Sequence, residues 1–258
     1  MTQETLQMLR YAKDSLRRQI LSWRRNLSQW WRFWNSYQHY RRLAPPDRQP
    51  LPQYLHPCLG DNTEKTPIEP IYYYQDAWAF EKIISRRPSH HVDVGSHHKF
   101  LALLSKVVPV TMVDLRPLSL PLDTLEFRKG SILSLPFEDA TVPSLSSLCV
   151  VEHVGLGRYG DPLDPYGSEK AISELKRVLT PNGCLYLSVP IGDHSIVAFN
   201  AGRVFTRKYL MELIRPLTIV EERFIVGKSF QATYEPRPMF GTTALFELTK
   251  PPITPERD

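Results

Sequence analysis

The sequence predicts an α/β protein with a doubly wound, mostly parallel sheet, preceded by an amphipathic helix. Short apolar runs alternate with segments of helical periodicity between about residues 76 and 215. Strands that alternate with helices of this length are typical of a parallel sheet with helices on both faces. In addition, a glycine and an aspartate follow two of the apolar runs, as expected at the carboxyl ends of parallel strands.

The individual elements follow from the same periodicity. The runs predicted as strands are His91–Val94, Val110–Val113, Ser146–Val151 and Cys184–Val189. The patterns predicted as helices are Asp76–Arg86, Lys99–Val107, Glu169–Val178 and Arg207–Arg215. Two later runs, Thr218–Val226 and Thr243–Thr249, have no helical pattern between them, so we expect them to pair antiparallel at the sheet edge.

The N-terminal segment, residues 1–43, is predicted to be one basic, aromatic-rich amphipathic helix. One apolar stripe runs along it, formed by Leu9, Leu16, Ile20, Trp23, Leu27, Trp30, Trp34 and Tyr37. Residues 1–48 contain ten basic and three acidic side chains, a net charge of +7, whereas the whole chain carries +5. Residues 49–258 therefore carry −2, which gives no reason to expect nucleic-acid binding by the main domain.

A basic stripe rich in tryptophan is typical of helices that lie on anionic membrane surfaces. Residues 1–43 are therefore expected to dock on such a surface or on a membrane-bound partner. The alternatives are that the stripe packs on the main domain or on a second copy in a homodimer. By base rate an apolar helical stripe is more often a packing element than an anchor.

The organisation of the chain follows from a proline-rich segment, residues 44–71, interpreted as a linker. Residues 72–250 then form the main domain and 251–258 a tail. The lack of an 18-residue apolar run and of a signal-peptide pattern indicates a cytoplasmic location, peripheral to the inner membrane if the helix docks there. Three widely spaced cysteines argue against disulfides, and Cys149 and Cys184 are expected in the core.

The first candidate binding residues follow the first predicted strand. Asp93, Gly95 and Ser96 lie where this strand gives way to a helix. Gly95 permits a tight turn and close approach of a ligand, and a helix N-terminus offers free N–H groups to a carboxylate. Asp114 ends the second strand, from which an acid can accept hydrogen bonds from both hydroxyls of a ribose. The competing interpretation of both acids is that they stabilise turns.

Two longer stretches resemble the S-adenosylmethionine-dependent methyltransferases. They run from Pro136 through Glu152-His153-Val154, and from Arg177-Val178-Leu179-Thr180-Pro181-Asn182-Gly183 through Pro190. A narrower resemblance, in the segment from Glu152 to Pro165, is to the uncharacterised DUF268 group, which is associated with bacterial surface-polysaccharide genes. The resemblance implies a Rossmann-like methyltransferase fold over about residues 79–249.

The resemblance also implies S-adenosylmethionine as cofactor and assigns residues to it. Asp93 and Gly95 would lie at its methionine end, Asp114 at its ribose, and Ser131 with Ile132 beside its adenine. The chain departs from the family at His97, where a second glycine is usual, and at Ser131, where an acid is usual.

Glu152 and His153, after the fourth strand, are the candidate catalytic residues. A histidine with an ordinary pKa near ~6.5 can accept a proton at neutral pH, and the neighbouring carboxylate can orient it. The alternative is that the pair only caps the strand. Further along, Asp161 and Asp164 are interpreted as turn residues, and no metal-ligand spacing is found. Arg158, Asn200 and Arg203 are candidate contacts to phosphate or sugar, the alternative being that the arginines are ordinary surface residues.

Two functions remain open from the sequence. The first is methyl transfer to a small or glycan-linked acceptor, in keeping with surface-polysaccharide biosynthesis. The second is a non-catalytic scaffold or binding protein of the same fold in envelope assembly. The retained acids favour the enzyme, whereas His97 favours the scaffold. A nucleotide-sugar or dinucleotide enzyme has less support, because no GxGxxG follows the first strand.

Overall fold

The computed structural model describes residues 26–252 together with Lys13 and Trp23, and divides the chain into two compact units, Met1–Pro67 and Ile68–Asp258. In the first unit, helix α1 covers residues 26–43, and two short 3₁₀ turns follow at Pro46–Arg48 and Pro52–Tyr54. The predicted stripe N-terminal to residue 26 lies outside the described residues, apart from Trp23. None of the helices in the described ranges is long and apolar enough to span a membrane.

The second unit contains a ten-stranded sheet and four helices. Its helices are α2 (Pro70–Arg86), α3 (His98–Leu104), α4 (Gly167–Val178) and α5 (Arg207–Ile214). Its strands are β1 (His91–Val94), β2 (Val110–Asp114), β3 (Leu125–Lys129), β4 (Val142–Leu148), β5 (Leu179–Gly192), β6 (Ile196–Ala198), β7 (Gly202–Thr206), β8 (Thr218–Val226), β9 (Ser229–Gln231) and β10 (Thr242–Thr249).

The strand order is β3-β2-β1-β4-β5-β10-β8-β9, with β7 pairing with β5 and β6. The strands from β3 to β5 are parallel, whereas β10 pairs antiparallel with both β5 and β8. The predicted antiparallel pair at the end of the domain is therefore confirmed. The chain order reverses between β1 and β4, which is where such sheets bind ligands.

Helices cover both faces of this sheet, which confirms the doubly wound prediction. On one face α4 and α5 bury Ile172, Leu175 and Leu210 in a cluster with the inward residues of β5. On the other face, α2 and α3 bury a second cluster that includes Trp78 and Leu101. Alternate residues of β5 serve the two clusters, since Leu185 and Leu187 belong to the first and Tyr186 to the second.

The strand predictions need correction in two respects. The fourth strand was expected at Ser146–Val151 but ends at Leu148, because Cys149 adopts a left-handed conformation (φ 54°) and the chain leaves the sheet there. Val151–His153 then form a 3₁₀ turn. In addition, β3, β6, β7 and β9 were not predicted. Only Leu125 of the edge strand β3 is buried, so that strand has no apolar run.

Candidate ligand site at the carboxyl ends of the central strands

A cavity of about 970 Å³ lies where β1, β2 and β4 end, and a smaller one of about 100 Å³ adjoins it. The two cavities are adjacent and share six lining residues: Gly95, Asp114, Arg116, Cys149, His153 and Tyr159. Of the residues predicted from the sequence, Ser96 and Glu152 line the larger cavity, and Ser131 and Ile132 the smaller. Asp93 lines neither.

The turn after β1 is built around Gly95. Its φ of +75° is accessible to glycine at little cost, and a Cβ at this position would lie 3.0 Å from Cγ1 of Val150. The Gly95 N–H donates to the carbonyl of Val113 at 3.0 Å, which ties the turn to the neighbouring strand. The glycine therefore keeps the backbone open to the cavity at the crossover between β1 and β4.

Asp93 stabilises this turn through hydrogen bonds. Its Oδ1 accepts a hydrogen bond from the Ser96 amide at 2.9 Å, and its Oδ2 accepts one from the Ser146 hydroxyl. Complete burial raises the pKa of Asp93 to about 6, although these hydrogen bonds oppose the shift. Both carboxylate oxygens are thus engaged within the protein, and Asp93 can act on a ligand only by holding Gly95 and Ser96 in place.

Asp114 is the acid that faces the site. It ends β2, its side chain is 15% exposed, and its Oδ1 accepts from the Arg116 amide at 2.8 Å. Next to it, the smaller cavity is walled by Ile132, Leu133 and Val150. A carboxylate beside an apolar slot is suited to a ligand with vicinal hydroxyls and a flat ring.

Glu152 lies at the inner end of the larger cavity. The 3₁₀ turn after β4 places this side chain in the interior, where it is 2% exposed. Within the described residues its Oε2 has no hydrogen-bond partner, and its Oε1 lies 3.8 Å from Nε2 of His153. Burial raises the pKa of Glu152 to about 8. A buried carboxyl that lines a cavity and has an oxygen without a partner is equipped to bind a ligand or to accept a proton from it.

His153 lies between Glu152 and Arg158. An Arg158 nitrogen lies 3.4 Å from Nδ1 of His153, and Nε2 lies 3.8 Å from Oε1 of Glu152. Burial, and then the charge of Arg158, lower the pKa of His153 to about 4. The imidazole is therefore neutral at pH 7.

The segment from Gly155 to Pro165 forms a tightly bonded loop over the cavity. Asp161 Oδ2 accepts from the amides of Gly155 at 2.6 Å and Gly157 at 3.4 Å, and Asp164 Oδ1 accepts from the Tyr166 amide. The interpretation of both aspartates as turn residues is confirmed. The loop carries Arg158 and Tyr159 to the cavity wall.

Arg203, a candidate contact to phosphate or sugar, instead anchors the same loop from inside the protein. It is 6% exposed and lines neither cavity. Its guanidinium donates to the carbonyls of Val154, Asp164 and Pro165 and to the hydroxyl of Ser168. These bonds use its donors inside the protein.

Several residues of the site were not predicted. Arg116 and Tyr72 also line the larger cavity, and Cys149, expected in the core, is half-buried and faces both cavities. Cys184 is buried as expected. The position of Arg116, two residues after a strand-ending acid, was the available sequence signal. In the described part of the chain, no group of three or more His, Cys, Asp or Glu side chains could hold a metal ion.

The fold is that of the class I S-adenosylmethionine-dependent methyltransferases. It is similar to 1,6-didemethyltoxoflavin-N1-methyltransferase of Burkholderia thailandensis, solved with 1,6-didemethyltoxoflavin and S-adenosylhomocysteine, with a TM-score of 0.51 and 17% identity over 72% of this chain and 93% of that one. It is also similar to the N-methyltransferase NodS of Bradyrhizobium japonicum, solved with S-adenosylhomocysteine, with a TM-score of 0.50 and 18% identity over 84% and 99% of the two chains.

Within this fold the chain resembles the family described as "Caenorhabditis protein of unknown function, DUF268", whose profile matches residues 139–222. The match covers less than half of the chain and includes Glu152, His153 and the anchored loop. The resemblance stated from the sequence is confirmed. No curated protein matches the sequence.

Proposed function

We propose that this protein binds S-adenosylmethionine and transfers its methyl group to a small acceptor in the larger cavity. The observation that carries the proposal is the buried Glu152, which has an oxygen without a hydrogen-bond partner in the described residues and lines a cavity together with Gly95 and Asp114. When bound, the cofactor would supply an electrophilic methyl group. A non-catalytic protein of the same fold has no need for an unpartnered carboxyl in this position.

The residues present fit the cofactor. The turn at Gly95 and Ser96 would lie against its methionine end, Asp114 would bind its ribose hydroxyls, and the slot beside Ser131 and Ile132 would hold its adenine. His97, in place of the usual second glycine, has its ring 5.1 Å from that of Tyr72. This contact packs the imidazole of His97 against α2. In the turn after β1, Gly95 is the residue that adopts the positive φ.

We propose that Glu152 accepts a proton from the methyl acceptor and that His153 positions the Glu152 carboxyl group. His153 is neutral at pH 7, and its Nε2 lies 3.8 Å from Oε1 of Glu152. A carboxyl with a pKa of about 8 is matched to proton transfer near neutral pH. These roles reverse the expectation from sequence, in which His153 is the base and Glu152 orients it.

We propose a glycan-linked acceptor in surface-polysaccharide biosynthesis on the basis of the DUF268 resemblance. The rival function, a scaffold in envelope assembly that has lost its cofactor, is tested by the titration below.

The first prediction concerns Asp114. We expect the full-length protein to bind S-adenosylmethionine in isothermal titration and Asp114→Asn to bind it at least ~10-fold more weakly, because hydrogen bonds to a charged group are lost. Asp123→Asn is the control, since Asp123 is exposed in the same β2–β3 connection and lines neither cavity. A folded protein that binds neither S-adenosylmethionine nor S-adenosylhomocysteine would favour the scaffold.

A second observation supports membrane docking by the N-terminal unit. On α1, Trp30, Trp31 and Trp34 are 40%, 71% and 46% exposed, and Trp30 and Trp34 stack at 6.3 Å between ring centroids. Large indole rings that remain exposed on a basic helix favour an interfacial position. We propose peripheral binding to the anionic cytoplasmic face of the inner membrane through residues 1–43.

The second prediction tests this docking. We expect the full-length protein to co-sediment with anionic vesicles, to be released at high salt, and to stay in solution once residues 1–45 are deleted, because each basic residue near the surface contributes ~1 kcal/mol. Neutral phosphatidylcholine vesicles are the control. Equal sedimentation of the two proteins would mean that the stripe packs within the protein or in a homodimer.

A further inference from the structure

Two guanidinium groups flank one tyrosine ring at the wall of the larger cavity. The Cζ atom of Arg116 lies 4.4 Å from the ring centroid of Tyr159, and that of Arg158 lies 5.1 Å from it. All three side chains line the cavity. Cations that stack on an aromatic face are oriented by the ring while their N–H groups remain available to other partners.

The positive charge at this wall is only partly compensated. Arg158 donates to the carbonyl of Ala201 at 2.8 Å and to His153, and it forms no ion pair with any acid in the described residues. Arg116 has one acidic neighbour, Asp114, with 3.7 Å between Nε and Oδ1.

The wall is held in place before any ligand arrives. Arg158 and Tyr159 belong to the loop of residues 155–165. The Asp161 carboxylate accepts hydrogen bonds from two amides of this loop, and the buried Arg203 donates to its carbonyl groups. A site built on such a loop loses less conformational entropy on binding than one built on a free segment. The side chains of both arginines are exposed, that of Arg116 by 61%, so a ligand can reach them.

We infer that the methyl acceptor is an anion, whose carboxylate or phosphate group binds Arg158 and Arg116 beside Tyr159 while its reactive hydroxyl or amine faces Glu152. The inference rests on the proposed function. It narrows the acceptor from any small molecule to one with an acidic group at one end and a proton-bearing nucleophile at the other. Guanidinium groups bind both oxyanions through paired N–H donors.

The test is an NMR titration of the full-length protein with inorganic phosphate and, separately, with acetate, at constant ionic strength. We expect at least one anion to shift the Arg158 side-chain signal saturably and to bind at least ~10-fold more weakly to Arg158→Gln, since a charge-assisted hydrogen bond is lost. Arg215→Gln is the matched control, because Arg215 is exposed and lines neither cavity. The preferred anion identifies the acidic group of the acceptor.

The same samples are titrated with S-adenosylhomocysteine, so that the two proposals fail separately. If the protein binds S-adenosylhomocysteine but neither anion binds saturably, the anionic acceptor is overturned and the proposed function stands. If Arg158→Gln binds both anions as wild type does, the site is also overturned. If an anion binds through Arg158 and S-adenosylhomocysteine does not bind, the anion site stands and methyl transfer fails.

Discussion

Glu152→Gln is expected to lower turnover by about 10²- to 10⁴-fold while leaving S-adenosylmethionine affinity nearly unchanged. Removal of a positioned proton acceptor has an effect of this size, and the amide fills the same space without accepting a proton. Release of S-adenosylhomocysteine over a panel of anionic acceptors measures turnover, and calorimetric titration measures cofactor affinity. Glu138→Gln is the control, since Glu138 is exposed and lines neither cavity.

The pH dependence gives this prediction a sharper form. Because the carboxylate is the active form of a base, the rate should rise with pH and level off above about pH 8, where burial has moved the pKa of Glu152. A rate that levels off near pH 4 would instead follow the lowered pKa of His153 and would contradict the assignment. An active Glu152→Gln protein with an unchanged profile would remove Glu152 from the mechanism.

The same pKa shift can be measured without an acceptor. The folded protein holds the Glu152 proton more tightly than the unfolded chain, whose ordinary value is 4.5. The stability that this proton contributes is therefore complete below about pH 4.5 and is lost as the pH rises through about 8. Urea unfolding across this range should show a smaller loss of stability in Glu152→Gln than in wild type.

The central strands of the fold could be predicted because a strand that is buried on both faces consists largely of apolar residues. Strands β1, β2 and β5 are covered on both faces, so they form apolar runs that periodicity detects. Strand β3 lies at the edge, and Glu126, Arg128 and Lys129 leave it no such run. The end of β4 was placed wrongly because Cys149, Val150 and Val151 continue the apolar pattern after the backbone has turned.

The residues of the site also fall into two groups, those whose proximity follows from the sheet topology and those whose proximity depends on the path of a loop. Gly95, Asp114 and Glu152 follow strand ends, and the topology of a parallel sheet brings strand ends together, so sequence position alone predicts that they meet. The Arg116–Tyr159–Arg158 arrangement joins residues 43 positions apart through a loop whose path depends on Asp161 and Arg203. No local pattern encodes that path. For the same reason, sequence position could not separate Arg158, which reaches the cavity, from the buried Arg203.

Arg203→Met is expected to lower the free energy of unfolding by about 3–5 kcal/mol. The guanidinium donates to three backbone carbonyls and to the hydroxyl of Ser168, and methionine leaves all four without that donor in a buried region. Methionine keeps much of the apolar stem, so lost packing contributes little. Urea unfolding followed by circular dichroism measures the change, with Arg215→Met as the exposed control.

The loop should respond to Arg203→Met before the rest of the domain does. The carbonyls of Val154, Asp164 and Pro165 hold the two ends of the loop together through Arg203. Amide exchange at Gly155 and Gly157 is therefore expected to accelerate more than exchange in β5. In the variant, the loop can open locally without breaking hydrogen bonds to a guanidinium group. Phosphate or acetate binding through Arg158 should weaken in parallel. A variant with the wild-type unfolding midpoint and unchanged Gly155 and Gly157 exchange would show that Asp161 alone holds the loop in place.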